Sequence, residues 1–214
     1  MFFDSNKYKV KMFRIIIALT FAFTLFSLDL EDFSKVGYKF ETDSGSFTIV
    51  LFEKTAPNHS SNFKKLFNSN SYDNMKFHRV IAGFVNQVGD PNTKKLPKSE
   101  WGSGNIGEDI DPEIERIHFR GCVAAARKPD EINKEMRSSG SQFYICTRPQ
   151  HQLDGKYTIF GRVVEGFDTI DRINRVKTDK NDIPIENIKI ISTETTKYLD
   201  EDEYNWVKRQ MERK

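Results

Sequence analysis

An arginine, an imidazole and a side-chain amide stand together in one stretch, Phe77-His78-Arg79-Val80-Ile81-Ala82-Gly83-Phe84-Val85-Asn86-Gln87-Val88-Gly89-Asp90, which otherwise reads as strand. Phe77, Val80, Ile81, Phe84 and Val85 are β-formers, while Gly83 and Gly89 mark bends or a close backbone approach. Arg79 and Gln87 therefore sit beside apolar surface rather than on a charged face. An arginine in that setting offers a planar fork of donors to a site that partly excludes water. The chemistry this favours is polarisation of a neutral amide, since the stretch shows neither an activated nucleophile nor metal-ligand spacing.

The rest of the chain has to position that stretch. At 214 residues it suffices for one domain with a substantial core, and two would be a squeeze. Apolar residues make up 37% and charged residues 30%, the balance of a soluble globular chain. The 33 basic and 31 acidic residues are interspersed and net to +2, which gives no nucleic-acid footprint. Eighteen Phe favour a β-rich core. Two cysteines, Cys122 and Cys146, are too few for a disulfide framework or, by themselves, a zinc site. They read as small buried apolar residues, with a disulfide as the alternative.

At the N-terminus, Lys7, Lys9, Lys11 and Arg14 precede the uncharged run Ile15–Leu28. A bilayer span wants about 20 residues and a signal-peptide core roughly 7–15. Residues 1–28 are expected to be a signal peptide or, because Leu25 makes a poor cleavage site with Ser27, an uncleaved membrane anchor. The protein is then exported or membrane-tethered through residues 15–28. Residues 29–36 read as a linker.

From Tyr38 the pattern is strand: Tyr38–Thr42, a turn, then Ser46–Glu53 with Phe47, Ile49 and Leu51 on one face. Thr55 as N-cap and Pro57 in the first turn start a helix, with Phe63, Leu66 and Phe67 on its apolar face. Pro91 to Pro112 is loop, and Asp109, Asp111, Glu113 and Glu115 read as a solvated face rather than a calcium loop. The small residues of Gly121–Ala126 leave room for something to lie against the sheet. Ser141–Thr147 alternates Phe143 and Ile145 against Gln142 and Tyr144. A turn at Leu153–Lys156, strand Tyr157–Val164, helix Phe167–Arg175 and strand Ile185–Thr193 follow. Residues 198–214 place acids first and bases last, as a helix dipole prefers, giving a C-terminal helix that docks on the domain or binds a partner. The sum is a mainly β domain over 37–197: a closed eight-stranded antiparallel barrel capped by two helices.

Three blocks in order, Phe77-His78-Arg79-Val80-Ile81-x-Gly83-Phe84-x-x-Gln87-x-Gly89-Asp90, Ser139-Gly140-Ser141-Gln142-Phe143-Tyr144-Ile145 and Leu153-Asp154-Gly155-Lys156-Tyr157-Thr158-Ile159-Phe160-Gly161, resemble the signature of cyclophilins, the peptidyl-prolyl cis-trans isomerases. The likeness spans roughly residues 37–195. The form Ala126-Arg127 and the long loop before Ser138 look closer to bacterial-type members. The resemblance implies Arg79 as the catalytic arginine and Gln87 as the glutamine that helps hold the substrate backbone. It implies Phe84, Val85, Tyr144 and Leu153 as walls of a proline pocket, Tyr157 where histidine is frequent, and Ala126, Arg127 and Gln142 along the neighbouring groove. His78 is positional rather than a base. No metal or cofactor is implied, and the partners are proline-containing polypeptides bound by a monomer.

Departures from the family pattern are Ala82 for proline, Val85 for methionine, Val88 for glycine and Gln152 for the tryptophan of many eukaryotic members. That tryptophan contributes to cyclosporin binding in the family, so weak cyclosporin affinity is expected. The expected activity is X–Pro rotation in aid of protein folding. The alternatives are a catalytically weak chaperone or scaffold that holds proline-containing segments, and an interaction protein working through the tail.

Overall fold

The computed structural model describes residues 33–198. The leader read at 1–28, and all of the tail after Tyr198, lie outside those residues. Eight strands are described: β1 (Val36–Thr42), β2 (Gly45–Leu51), β3 (Arg79–Ile81), β4 (Val85–Val88), β5 (Cys122–Ala125), β6 (Phe143–Cys146), β7 (Ile159–Glu165) and β8 (Ile190–Lys197). Two α-helices accompany them, α1 (Pro57–Asn68) and α2 (Phe167–Ile173). Every ladder is antiparallel, in the order β3-β4-β6-β5-β7-β2-β1-β8.

Alternation along the strands sorts side chains between two apolar clusters. The larger holds Phe40, Phe47, Ile49, Leu51, Val88, Val123, Phe143 and Ile145. Into it α1 sends Phe63, Leu66 and Phe67, and α2 sends Ile170 and Ile173. Aromatic rings dominate this core: Phe40 stacks on Phe47 at 4.9 Å and meets Phe67 edge-on at 5.3 Å, geometries that rings favour over face-to-face overlap. The smaller cluster takes the opposite face of the same strands, with Val50, Val85, Ala124, Tyr144 and Cys146.

The sheet curls but does not close, which corrects the expected barrel. Its edges are β3 and β8. Across the seam the chain just before β3 meets the start of β8 through Phe77 N–H to Ile188 O (2.9 Å), Ile190 N–H to Met75 O (2.8 Å) and one bridge, Lys76 with Lys189. β3 is cut to three residues by the turn at Ala82-Gly83, and its outward Val80 N–H is taken by the carbonyl of Asp182 in a loop (2.8 Å) rather than by β8. The result is a curled half-barrel.

Five further differences are seen. The stretch read as one strand is the hairpin β3–β4, turning where Gly83 has φ +71. α1 begins after Ala56 with no side-chain cap of its own. Glu113, expected on a solvated face, accepts the backbone N–H of Asn58 (2.9 Å) and of His59 (3.1 Å), together with His59 Nδ1–H (2.7 Å). Within the segment read as linker, Phe33 bridges Phe52, and Ser34 Oγ accepts Leu51 N–H (3.0 Å). The last strand starts at Ile190 rather than Ile185, because Thr178–Pro184 forms its own small bridge. Cys122 and Cys146 are buried thiols.

Candidate functional site

Strand pairing assembles the site. Arg79 on β3 pairs with Gln87 on β4, Gln87 pairs with Tyr144 on β6, and Tyr144 pairs with Ala124 on β5. One rung thus crosses four strands, and period-2 alternation puts Val85 and Ala126 on the same face as Gln87 and Ala124. Gly89 lets β4 seat against β6: a Cβ there would lie 2.1 Å from Ser141 O, at a φ of +101 that L side chains avoid.

On this face lies a cavity of about 280 Å³ lined by Arg79, Phe84, Val85, Gln87, Ala126, Arg127, Tyr144, Leu153 and Tyr157. Every catalytic or binding residue implied by the resemblance is there except Gln142. Gln142 lines an adjoining cavity of about 380 Å³ that shares Gln87, Ala126 and Arg127 with the first. Val85, Ala126 and Tyr144 are buried and form a dry floor, while Phe84, Leu153 and Tyr157 pack on that cluster as part-exposed walls.

The polar rim is ordered by one directional chain. Arg79 Nη1 points to Gln87 Oε1 (3.5 Å), and Gln87 Nε2 donates to Gln142 Oε1 (3.0 Å). Gln142 Nε2 then donates to the carbonyls of Gly102 (3.1 Å) and Gly104 (2.6 Å). Both amides are therefore fixed in orientation. Arg79 itself is held loosely: its side chain is 43% exposed, and its Nε stands 3.9 Å from Asp182 Oδ2. Arg127 differs. Its guanidinium donates to Lys156 O (2.8 Å), pairs with Asp130 (2.6 Å) and covers the Tyr157 ring at 4.7 Å. It is a wall builder with its donors engaged.

Behind the floor, Tyr144 Oη bonds His118 Nε2 (3.0 Å), and His118 Nδ1 bonds Asp154 Oδ1 (2.9 Å). Burial lowers the pKa of His118 against the pull of Asp154. Partial burial works against Asp154, yet hydrogen bonds from His118 and His151 hold it below the usual carboxylate range. Asp154 thus stays a carboxylate and accepts from Nδ1–H. Nε2 is left as an acceptor, so Tyr144 is the donor. Burial pushes the Tyr144 hydroxyl up, keeping it neutral. His78 lies outside the cavity lining, and burial, opposed by Asp90, lowers it to about 4.

His118 and Asp154 were not singled out from the sequence as a pair. Asp154 lay inside a recognised block, but His118 sits alone among Arg116-Ile117-His118-Phe119 with no spacing that announces it. Their link exists only across 36 positions of chain. Chemically, the cavity offers an apolar cup with a guanidinium and an oriented amide at its rim. Its lining contains no Ser, Cys, His or carboxylate that could attack a bond or shuttle a proton.

Comparison with known proteins agrees with this geometry. The sequence model of the family described as cyclophilin type peptidyl-prolyl cis-trans isomerase/CLD matches residues 38–195. The chain is 36% identical over 168 residues to peptidyl-prolyl cis-trans isomerase CYP18-2 of Arabidopsis thaliana, covering 72% of this chain and 89% of that one. It is 38% identical over 162 residues to peptidyl-prolyl cis-trans isomerase-like 1 of Aspergillus fumigatus, covering 76% and 96%. A crystal structure of a cyclophilin-type isomerase from Cryptosporidium parvum superposes with a TM-score of 0.67 at 31% identity, covering 77% of this chain and 98% of that one. The same protein in the presence of the dipeptide Ala-Pro gives 0.64 at 32%, covering 73% and 96%. These relatives are eukaryotic and lend no support to a bacterial-type form.

Proposed function

The chain belongs to the cyclophilin-type peptidyl-prolyl cis-trans isomerases and catalyses rotation about X–Pro bonds, and we propose that Arg79 supplies the catalytic donor while Phe84, Val85, Tyr144 and Leu153 grip the proline ring. The barrier to be lowered is about 18–20 kcal/mol, because amide resonance is lost when the bond twists. In the twisted state the proline nitrogen is pyramidal and carries a lone pair that the planar amide lacks. A donor aimed at that nitrogen stabilises the twisted state selectively, which is the requirement for catalysis.

The observation that carries the assignment is the rung Arg79–Gln87–Tyr144. It sets the guanidinium at the lip of the apolar cup, and Gln87, its amide oriented by Gln142, stands where a substrate backbone would pass. The dry floor holds the ring still while the preceding residue swings. Tyr144, neutral and donating to His118, adds stiffness without charge. Crystallisation of a relative in the presence of Ala-Pro supports a proline dipeptide as occupant.

Weak cyclosporin binding belongs to the same reading. Gln152, standing where the family often has tryptophan, folds back onto Gln150 Oε1 (2.7 Å) and presents no indole to a ligand. Export or tethering through residues 1–28, with folding assistance as the role, rests on the basic flank and apolar run of the sequence.

The deciding experiment is NMR exchange on a short X–Pro peptide with residues 29–214 and with Arg79→Ala. Accelerated exchange that collapses in the variant, with peptide affinity retained, supports Arg79 as the donor. Binding without acceleration by the parent protein would leave only a proline-segment binding module.

A further inference from the structure

We propose that Asn174, which lies outside the cavity at the C-terminal end of α2, is a positioning residue for the proline pocket. This rests on the cavity reading above. The side chain of Asn174 is buried and makes no bond to its own helix. Its Nδ2 donates to Ile81 O (2.9 Å) and Asn86 Oδ1 (2.8 Å), with Val85 O at 3.4 Å sharing a hydrogen. Its Oδ1 accepts Gly83 N–H (2.7 Å) and the Thr147 hydroxyl (3.3 Å). Both donors and one lone pair of the amide are thus spent on the β3–β4 hairpin, and the second lone pair on Thr147, which follows β6 and itself bonds the hairpin at Phe84 O.

That turn needs an external anchor. β3 has three residues and is a sheet edge, so the hairpin is registered by three pairs only. Gly83 at φ +71 adds a conformationally permissive residue at its centre. Further polar groups of the turn are held by the neighbours of Asn174: Gln150 Nε2 donates to Gly83 O (3.2 Å), and Thr147 N–H donates to Phe84 O (3.0 Å), with its hydroxyl hydrogen shared between Phe84 O (3.2 Å) and Asn174 Oδ1 (3.3 Å). The residues that leave this turn are Phe84 and Val85, one wall and part of the floor of the cavity. Arg79 and Gln87 lie further from the turn. The β3–β4 ladder holds them, and Asn86 Nδ2 anchors that ladder to Ile170 O (2.9 Å). Loss of the Asn174 amide therefore falls on the grip and spares the donor.

The test is peptide titration and saturated exchange by NMR for the parent, Asn174→Ala, Thr147→Val, the double variant and Ile170→Val. Ile170 lies in the main core one helical turn earlier and reports plain loss of packing. The expected result is a Kd for the X–Pro peptide weakened about tenfold in Asn174→Ala, with the saturated exchange rate within about twofold. Thr147→Val should shift Kd in the same direction by less, and the double variant should not exceed the sum, since both act through one turn. Ile170→Val should lower stability and leave Kd unchanged. The proposal is overturned if Asn174→Ala leaves Kd within about twofold, if it lowers the saturated rate at unchanged Kd, or if Ile170→Val weakens Kd equally. Should Asn174→Ala not fold, Thr147→Val decides alone, an unchanged Kd overturning the proposal. A parent that binds peptide without accelerating exchange overturns the isomerase assignment of the site, while the Kd comparison still decides the role of Asn174.

Discussion

Replacing Arg79 with lysine keeps the charge and removes the fork, which separates two ways an arginine could help. In the resting protein the guanidinium makes only long contacts, 3.5 Å to Gln87 Oε1 and 3.9 Å to Asp182 Oδ2, and is 43% exposed. Little of its interaction is therefore committed before substrate arrives. A preorganised donor lost from a dry site costs about 2.7–4 kcal/mol of transition-state stabilisation. At a rim almost half open to water about half of that applies, so Arg79→Ala should lose roughly 2 kcal/mol, or about 30-fold in saturated exchange rate. Lysine presents one compact ammonium and cannot hold Gln87 Oε1 while reaching the twisted bond, so Arg79→Lys should recover no more than about fivefold of that loss. Removing an exposed ion pair this long should change folding stability by less than about 0.5 kcal/mol, and urea unfolding of all three proteins checks that. A lysine variant with more than half the parental rate would show that charge alone suffices. An alanine variant within about threefold of the parent would remove Arg79 from the mechanism altogether.

Other consequences are sharp enough to measure. Glu113→Ala strips the start of α1 of its acceptor and leaves buried His59 without its partner, so thermal unfolding should show a loss of about 3 kcal/mol, or a fall of roughly 6–12 °C; a loss under about 1 kcal/mol would mean that water replaces the carboxylate. Burial depresses the pKa of His59, His78 and His118 below 6.5, so their contribution is complete above that value and declines as pH falls toward the folded pKa. For His78, lowered to about 4, unfolding takes up close to one proton near pH 5. Urea titrations between pH 5.5 and 4.5 should then lose about 1.2 kcal/mol from this residue, a loss that a His78→Gln variant would not show. The hydrogen bond with Cys122, together with burial, raises the Cys146 thiol, so neither cysteine of the folded protein should react with an aromatic disulfide reagent at pH 8, whereas both should in urea. One fast-reacting thiol in the folded state would contradict the burial.

What could be read ahead of the structure was whatever depends on neighbours in sequence. The alternation of Phe143 and Ile145 against Tyr144 sorted side chains to the correct faces, because strand period is local. The cavity residues were marked by the family resemblance and not by pairing, since the hairpin that sets Arg79 opposite Gln87 reads in sequence as one strand. The open seam was not, because it turns on whether Val80 N–H finds β8 or a loop carbonyl at Asp182, a choice between distant segments. Glu113 looked like one acid in a solvated series, and only the return of its loop to α1 makes it a cap. His118 and Asn174 carry no spacing signal, as each meets its partners across long loops.

The departures from the family pattern take on different weights once their faces are known. Val88 stands where glycine is frequent, and its side chain is fully buried in the main core, on the side of β4 away from the cavity. A larger residue there fills core volume and cannot obstruct a ligand. Ala82 lies in the turn beside Gly83, where the loss of a proline's fixed φ is offset by the Asn174 and Gln150 bonds to the same turn. Val85 is the departure that touches the cavity, directly opposite Cys146 on β6 and next to Phe84 in the wall. A branched, stiff side chain in place of a flexible one leaves the cup roomier and less adaptable. Selectivity among X–Pro segments should therefore track position 85, while the rung that carries Arg79 and Gln87 stays as the family has it.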